Sequence, residues 1–180
     1  MNDETLMLAY SDGDTSAFEN LYRRHKGGVY RYLKRQCGND ATADELFQDV
    51  WMKLINARQR YKASAKFTTW LYHIAHNRLI DHYRKNSRVP ESYEDDTTDD
   101  IEDHCSIDPV TDINRSRQAE KLLNCISQLP EAQRESFLLK EETGLSLVEI
   151  ADVAGTSRET IKSRLRYALK ALRRCLQGLL

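Results

Sequence analysis

The 180-residue chain sets 27 Lys and Arg against 28 Asp and Glu, for a net charge of −1, and holds only seven Gly and three Pro. With so few breakers among abundant Leu, Arg, Lys, Glu and Ala, strand-rich and fibrous classes are poor candidates and an all-α chain is expected. No stretch reaches the roughly 20 consecutive apolar residues of a membrane span, and the first ten residues lack the basic-then-apolar order of a secretory signal, so no membrane insertion and a cytoplasmic location are expected.

In chain order, the first helix is expected near Asp3, where an acidic turn precedes Leu6, Met7 and Tyr10. From Ser16, Phe18, Leu21, Tyr22, His25, Val29, Tyr32 and Leu33 recur at three-and-four spacing and predict an amphipathic helix, with a bend at Gly27-Gly28. Asn39-Asp40 offers a cap for a third helix, whose apolar stripe is Leu46, Phe47, Val50, Trp51 and Leu54; Glu45, Gln48 and Asp49 lie largely off that stripe. A fourth pattern runs from Phe67 to about Lys85, with Phe67, Trp70, Leu71, Ile74, Ala75 and Leu79 inward. Residues 1–85 are therefore expected to form one helical domain.

Residues 86–115 hold ten acidic and two basic residues and two of the three prolines, with hardly any periodic apolar positions. Such a segment buries too little surface to offset its ordering entropy and is read as a flexible acidic linker. As a coil it would span roughly 30 Å, and at most about 100 Å fully extended. The flanking stretches are basic: residues 1–85 carry 14 cations against 10 anions and residues 116–180 carry 11 against 8. The near-neutral total is thus a cancellation, and the asymmetry signals polyanion contact by the two flanks.

Within residues 116–180, one helix should end at Pro130, the next at Gly144, and then a short pair follows: Leu147 to Ala154, a Gly155-containing turn, and Arg158 to about Leu176. Ser146 with Glu149 fits a capping box, and Ser157 is placed to cap the last helix. Leu147, Ile150, Ala151 and Val153 would face Ile161, Leu165, Ala168, Leu169 and Leu172. This is the pattern of a helix-turn-helix, whose second helix enters the major groove. Between Thr156 and Cys175, seven cations stand against Glu159 alone, which favours DNA over a merely solvated face. Arg158, Glu159, Lys162 and Ser163 are best placed for base edges, and Arg166 and Lys170 for base or backbone.

In the fourth helix and the loop before it, Tyr61, Phe67, Trp70, Tyr72 and Tyr83 interleave with Lys62, Lys66, Arg78, Arg84 and Lys85. Rings that stack on unpaired bases and cations that hold phosphates suit single-stranded nucleic acid. For Trp70 and Leu71 a core position is at least as good a reading. His73 and His76 lack a third ligand at helical spacing and are read as solvated or core histidines rather than a metal site. Cys37, Cys105, Cys125 and Cys175 form no CxxC pair and are expected to be four reduced thiols; His104-Cys105 is read as an exposed thiol rather than a sensor. No nucleophile elbow, phosphate loop or HExxH occurs, so neither an enzyme nor a cofactor is expected.

The order of ELFQDVWMKL, KFTTWLYHIAHNRLIDHYRK, an acidic linker, AQRESFLLKEETGLSLVEIADVAGTS and TIKSRLRYALKALRR closely resembles the bacterial sigma-70 family, in its extracytoplasmic-function subgroup reduced to regions 2 and 4. The resemblance implies a region 2 bundle and a region 4 helix-turn-helix. It implies that Glu45, Gln48 and Asp49 dock on the β′ clamp of RNA polymerase core, with the β flap a further contact. The stretch Tyr61 to Lys85, with Asn77 and the Tyr61–Lys66 loop at its base pocket, would melt the promoter −10 element. Lys162, Ser163, Arg166 and Tyr167 would read the −35 element, and the linker would thread toward the RNA exit path. An anti-sigma factor is implied as regulator. Two weakly charged modules on one tether suggest poor DNA binding without polymerase, because avidity needs both engaged together. Two alternatives remain: an operator-binding helix-turn-helix dimer, which would need a sensor pocket, and a metal-dependent nuclease, which would need clustered carboxylates outside the linker.

Overall fold

A computed structural model of the chain describes residues 1–86 and 113–178, with side chains from 116 onward in the second stretch. Among the described residues there are eight α-helices and no strand: α1 (Asp3–Ser11), α2 (Thr15–Cys37), α3 (Asp40–Ala57), α4 (Phe67–Asn86), α5 (Ile113–Ser127), α6 (Glu131–Thr143), α7 (Leu147–Ala154) and α8 (Arg158–Gln177). A 3-10 turn at Arg58–Arg60 follows α3.

The ends of the helices follow from short polar side chains and glycines. Asn2, Asp14, Asn39, Ser146 and Ser157 each accept from backbone N–H groups of the first turn that otherwise lack a partner. Ser146 and Glu149 complete the expected capping box reciprocally. Gly144 and Gly155 close α6 and α7 in the left-handed region, at φ of 65° and 68°. The expected bend at Gly27-Gly28 does not occur, since α2 is unbroken through both. Gly28 instead serves close approach: a Cβ there would lie 2.7 Å from the Tyr72 hydroxyl on α4.

Helices α1 to α4 form the first bundle. Tyr10, Phe18, Tyr22, Phe47 and Trp51 stack edge and face through its α1–α2–α3 side, and Leu21, Leu33, Leu46, Leu54, Phe67, Leu71 and Leu79 fill its centre. Helices α5 to α8 form a second group around Ile126, Leu138, Leu139, Ile150, Ile161, Ala168 and Leu172. Leu169, expected inward, is exposed; it follows Ala168 by one position, a 100° step that carries it off the buried stripe. The buried residues of both groups form one continuous cluster, because α6 lies on α2 and α7 lies on α4.

Two expectations are corrected. Helix α5 starts at Ile113, inside the stretch assigned to the linker. Cys125 and Cys175 are joined in a disulfide rather than standing as separate thiols: the last turns of α5 and α8 bring their Cα atoms within 5.8 Å, a proximity that a 50-residue sequence separation conceals. Cys37 is a free thiol, and His104 and Cys105 lie outside the described residues.

Candidate nucleic-acid interface

The helix-turn-helix is set by packing. Ile150, Ala151 and Val153 of α7 and Ile161, Ala168 and Leu172 of α8 are buried, which turns the opposite face of α8 to solvent. On that face Arg158, Glu159, Lys162, Arg166, Tyr167 and Lys170 are exposed and Ser163 is half-buried. The Arg166 guanidinium lies 5.1 Å from the centre of the Tyr167 ring. All seven residues nominated for the −35 face therefore share one accessible side, most of it cationic.

The residues nominated for the −10 face divide. Lys62, Lys66, Asn77 and Arg84 are exposed, and Trp70 is half-buried. Phe67 is wholly buried and Tyr61 nearly so, its hydroxyl donating to the Ala65 carbonyl at 2.8 Å and its ring packed on Phe67 and Trp70. Burial pushes the Tyr61 hydroxyl up to about 12. Tyr72 is buried as well, and Tyr83 donates to the Gln36 carbonyl. The rings of Tyr61, Phe67 and Tyr72 form the wall of the bundle and are not offered for stacking, while Tyr83 is half-buried. Arg78 is likewise sequestered: its guanidinium pairs with Asp49 at 2.7 Å, so it is not free to hold a phosphate. The same pair engages Asp49, and Glu45, 3.9 Å from the same guanidinium, and Gln48 are exposed on α3.

The two DNA-facing groups are not independent in this arrangement. Helix α7 crosses α4, Lys66 pairs with Glu149 at 3.0 Å, and the Gly155-Thr156 turn and Arg164 share a cleft with His76, Asn77 and Arg84. In the wall of this cleft, Glu135 of α6 is buried and accepts from Tyr32 at 2.8 Å and bonds His76. Arg31 and Arg35, one turn apart on α2, both grip Glu142 at 2.9 Å. Arg134 donates to the Gln36 side chain at 2.8 Å. Sequence reading missed this interlock. One signal was available: Arg31 and Arg35 at i, i+4 and Glu135 and Glu142 at i, i+7 mark complementary stripes on two helices. His73 instead bonds Asn77 on the exposed side, so the two histidines point to different partners and do not converge on a metal.

A helical bundle with a polar docking helix, joined to a helix-turn-helix whose second helix is cationic, defines a protein of the promoter-recognition class. Residues 21–89 match the family model described as sigma-70 region 2, and residues 119–172 match that described as sigma-70, region 4. The RNA polymerase sigma factor CarQ of Myxococcus xanthus is 31% identical over 94% of this chain and 95% of its own. The ECF RNA polymerase sigma factor SigK of Mycolicibacterium vanbaalenii is 29% identical over 96% and 88%. Among solved structures, the sigma factor RpoE in complex with the anti-sigma factor NepR from Bartonella quintana shares the fold, with a TM-score of 0.70 at 20% identity over 89% of this chain and 96% of that one. The chain belongs to the sigma-70 family, in its extracytoplasmic-function subgroup. It is a sigma factor, which binds RNA polymerase core and directs promoter-specific initiation; the operator-binding dimer is not favoured. No described helix is long and apolar enough to cross a membrane.

Proposed function

We propose that residues 1–85 bind the polymerase and the −10 element, that residues 116–180 read the −35 element, and that the form described above is a closed one that opens on polymerase. Glu45, Gln48 and Asp49 would meet the β′ clamp, with a β-flap contact through the second group. Lys62, Lys66, Asn77 and Arg84, with Trp70 at the edge, would hold the opened −10 strand, while Arg158, Glu159, Lys162, Ser163, Arg166, Tyr167 and Lys170 would read the −35 duplex. The chain itself supplies no catalysis and works in the cytoplasm, where polymerase is found. Because RpoE of Bartonella quintana was solved with an anti-sigma factor, an anti-sigma partner that responds to an extracytoplasmic signal is proposed here too.

The carrying observation is the opposed charge of the surfaces that meet. Lys66, on the loop nominated for −10 contact, pairs with Glu149 of the helix-turn-helix at 3.0 Å, which supports an arrangement that commits this cation to the other group rather than to DNA. Transcription in vitro with core polymerase tests the reading. Adding the chain should give initiation from a discrete set of promoters, and Lys162→Ala with Arg166→Ala should abolish it at promoters that depend on a −35 element. Failure of the native chain to direct specific initiation would refute it.

A further inference from the structure

We propose that α1 is a splint for the loop nominated for −10 contact, and that Glu4 is the positioning residue through which it acts. The proposal rests on the −10 reading above. Asn2, Asp14, Asn39, Ser146 and Ser157 cap their own helices. Helix α4 instead follows Lys66, whose carbonyl accepts the first bond of the helix from Trp70 but whose ammonium can only donate. The missing acceptor comes from another helix: Oε1 of Glu4 takes the Phe67 backbone N–H at 2.9 Å. A carboxylate there also suits the positive end of the α4 dipole. Helix α1 lies ahead of residues 21–89, which match sigma-70 region 2, so the matched pattern does not include this cap.

The other end of the loop is tied to the same helix. Ser11, the last residue of α1, donates its hydroxyl to the Arg58 carbonyl at 2.6 Å, and its own carbonyl accepts from the Gln59 side chain at 2.8 Å. From Glu4 to Ser11 the helix rises roughly 10 Å, so one rod holds both ends of the Tyr61–Lys66 segment. Asp3 seats that rod on α2, pairing with Arg24 at 2.8 Å and His25 at 2.7 Å, and the His25 ring lies 5.2 Å from that of Phe67. Inside the loop the Tyr61 hydroxyl closes back on the Ala65 carbonyl. Burial, and after it the charges of Glu4 and Asp3, raises that hydroxyl, as expected for two carboxylates beside the loop.

Tied at both ends, the loop presents the exposed Lys62 and Lys66 on a fixed backbone, while Tyr61 and Phe67 are buried. A strand that binds a preordered loop does not have to offset the entropy of ordering it. The Phe67 tie follows Lys66 directly, so the Lys66 backbone keeps its place whether the ammonium pairs with Glu149 or with a phosphate. Glu4 therefore acts through Lys62, Lys66 and, one turn into α4, Trp70.

The test uses the full chain assembled with core polymerase, on a promoter from which the native chain initiates. Two fluorescent probes are taken from that promoter: a single strand carrying the −10 element and a duplex carrying the −35 element. Anisotropy should show Glu4→Ala weakening capture of the single strand about fivefold, the size of one lost N-cap acceptor, with affinity for the −35 duplex unchanged. Glu4→Gln keeps an accepting oxygen and should recover most of the capture. Gln59→Ala, at the other tie, should also weaken capture of the strand alone. The double variant Glu4→Ala, Lys62→Ala should lose less than the product of the single losses, since a loosened loop no longer presents Lys62. With Lys62→Ala itself weakening capture, four results would overturn the proposal: native-like capture by Glu4→Ala or Gln59→Ala, an equal loss in Glu4→Gln, a parallel loss on the −35 duplex, or single losses that multiply. If Lys62→Ala and Lys66→Ala leave the strand bound as before, it is the −10 reading that fails.

Discussion

At the residue scale, composition nominated rings and cations together, and burial separates them. Phe67 and Lys62 stood side by side as candidates for the −10 strand, yet Phe67 is wholly buried and Lys62 is exposed. Phe67→Ala should cost about 3–5 kcal/mol in chemical denaturation, because it leaves a cavity in the first bundle. Lys62→Ala should leave the midpoint unchanged while weakening promoter opening. Equal loss of stability in both variants would contradict the assignment. Arg78 illustrates the same division for charge, since its pairing with Asp49 converts a nominal phosphate contact into a strut between α4 and α3.

At the scale of the element, capping and charge determine where each helix starts and whom it meets. Ser146→Ala removes one half of the capping box and should destabilise the second group by about 1 kcal/mol, measured by thermal unfolding. Glu149, the other half, has a carboxyl held below its ordinary 4.5, first by the Ser146 backbone N–H and then by Lys66. A carboxyl depressed in the folded state adds stability above its unfolded value and loses it as the pH falls through the folded one. The Glu149 contribution should thus be constant from neutrality to about pH 4.5 and fade below, and Glu149→Gln should flatten that acid limb of the denaturation profile. The tie from α5 to α8 is larger. Closing a loop of 50 residues in the unfolded chain is worth about 4 kcal/mol by loop entropy, so reduction should lower the midpoint of the second group far more than loss of a cap.

At the scale of the whole molecule, the charges that matter are those between the groups. Glu142 is nearly buried between Arg31 and Arg35. Glu142→Ala removes both charge-assisted pairs and should weaken the closed form by about 2 kcal/mol after allowance for solvent around Arg31. Small-angle scattering should then register a larger radius of gyration at neutral pH, and DNA binding without polymerase should rise. An unchanged radius would show that the interlock rests on Glu135 and the apolar contacts alone.

The helices themselves were legible in the sequence because their signals are local. Capping residues, glycine stops and three-and-four spacing act within one or two turns, which is why α3, α6, α7 and α8 begin and end close to where their residues indicate. The accessible cationic side of α8 was legible for the same reason: fixing the buried stripe fixes its opposite. What the sequence by itself determined is therefore a set of amphipathic helices, a helix-turn-helix and a family order of motifs. Tertiary structure alone decided that Tyr61 and Phe67 are wall rather than platform, that Cys125 meets Cys175, and that Glu135 and Glu142 lock one group onto the other. The last two depend on residues from 50 to more than 100 positions apart brought within bonding distance, and no local period or spacing encodes which distant helix a face will meet.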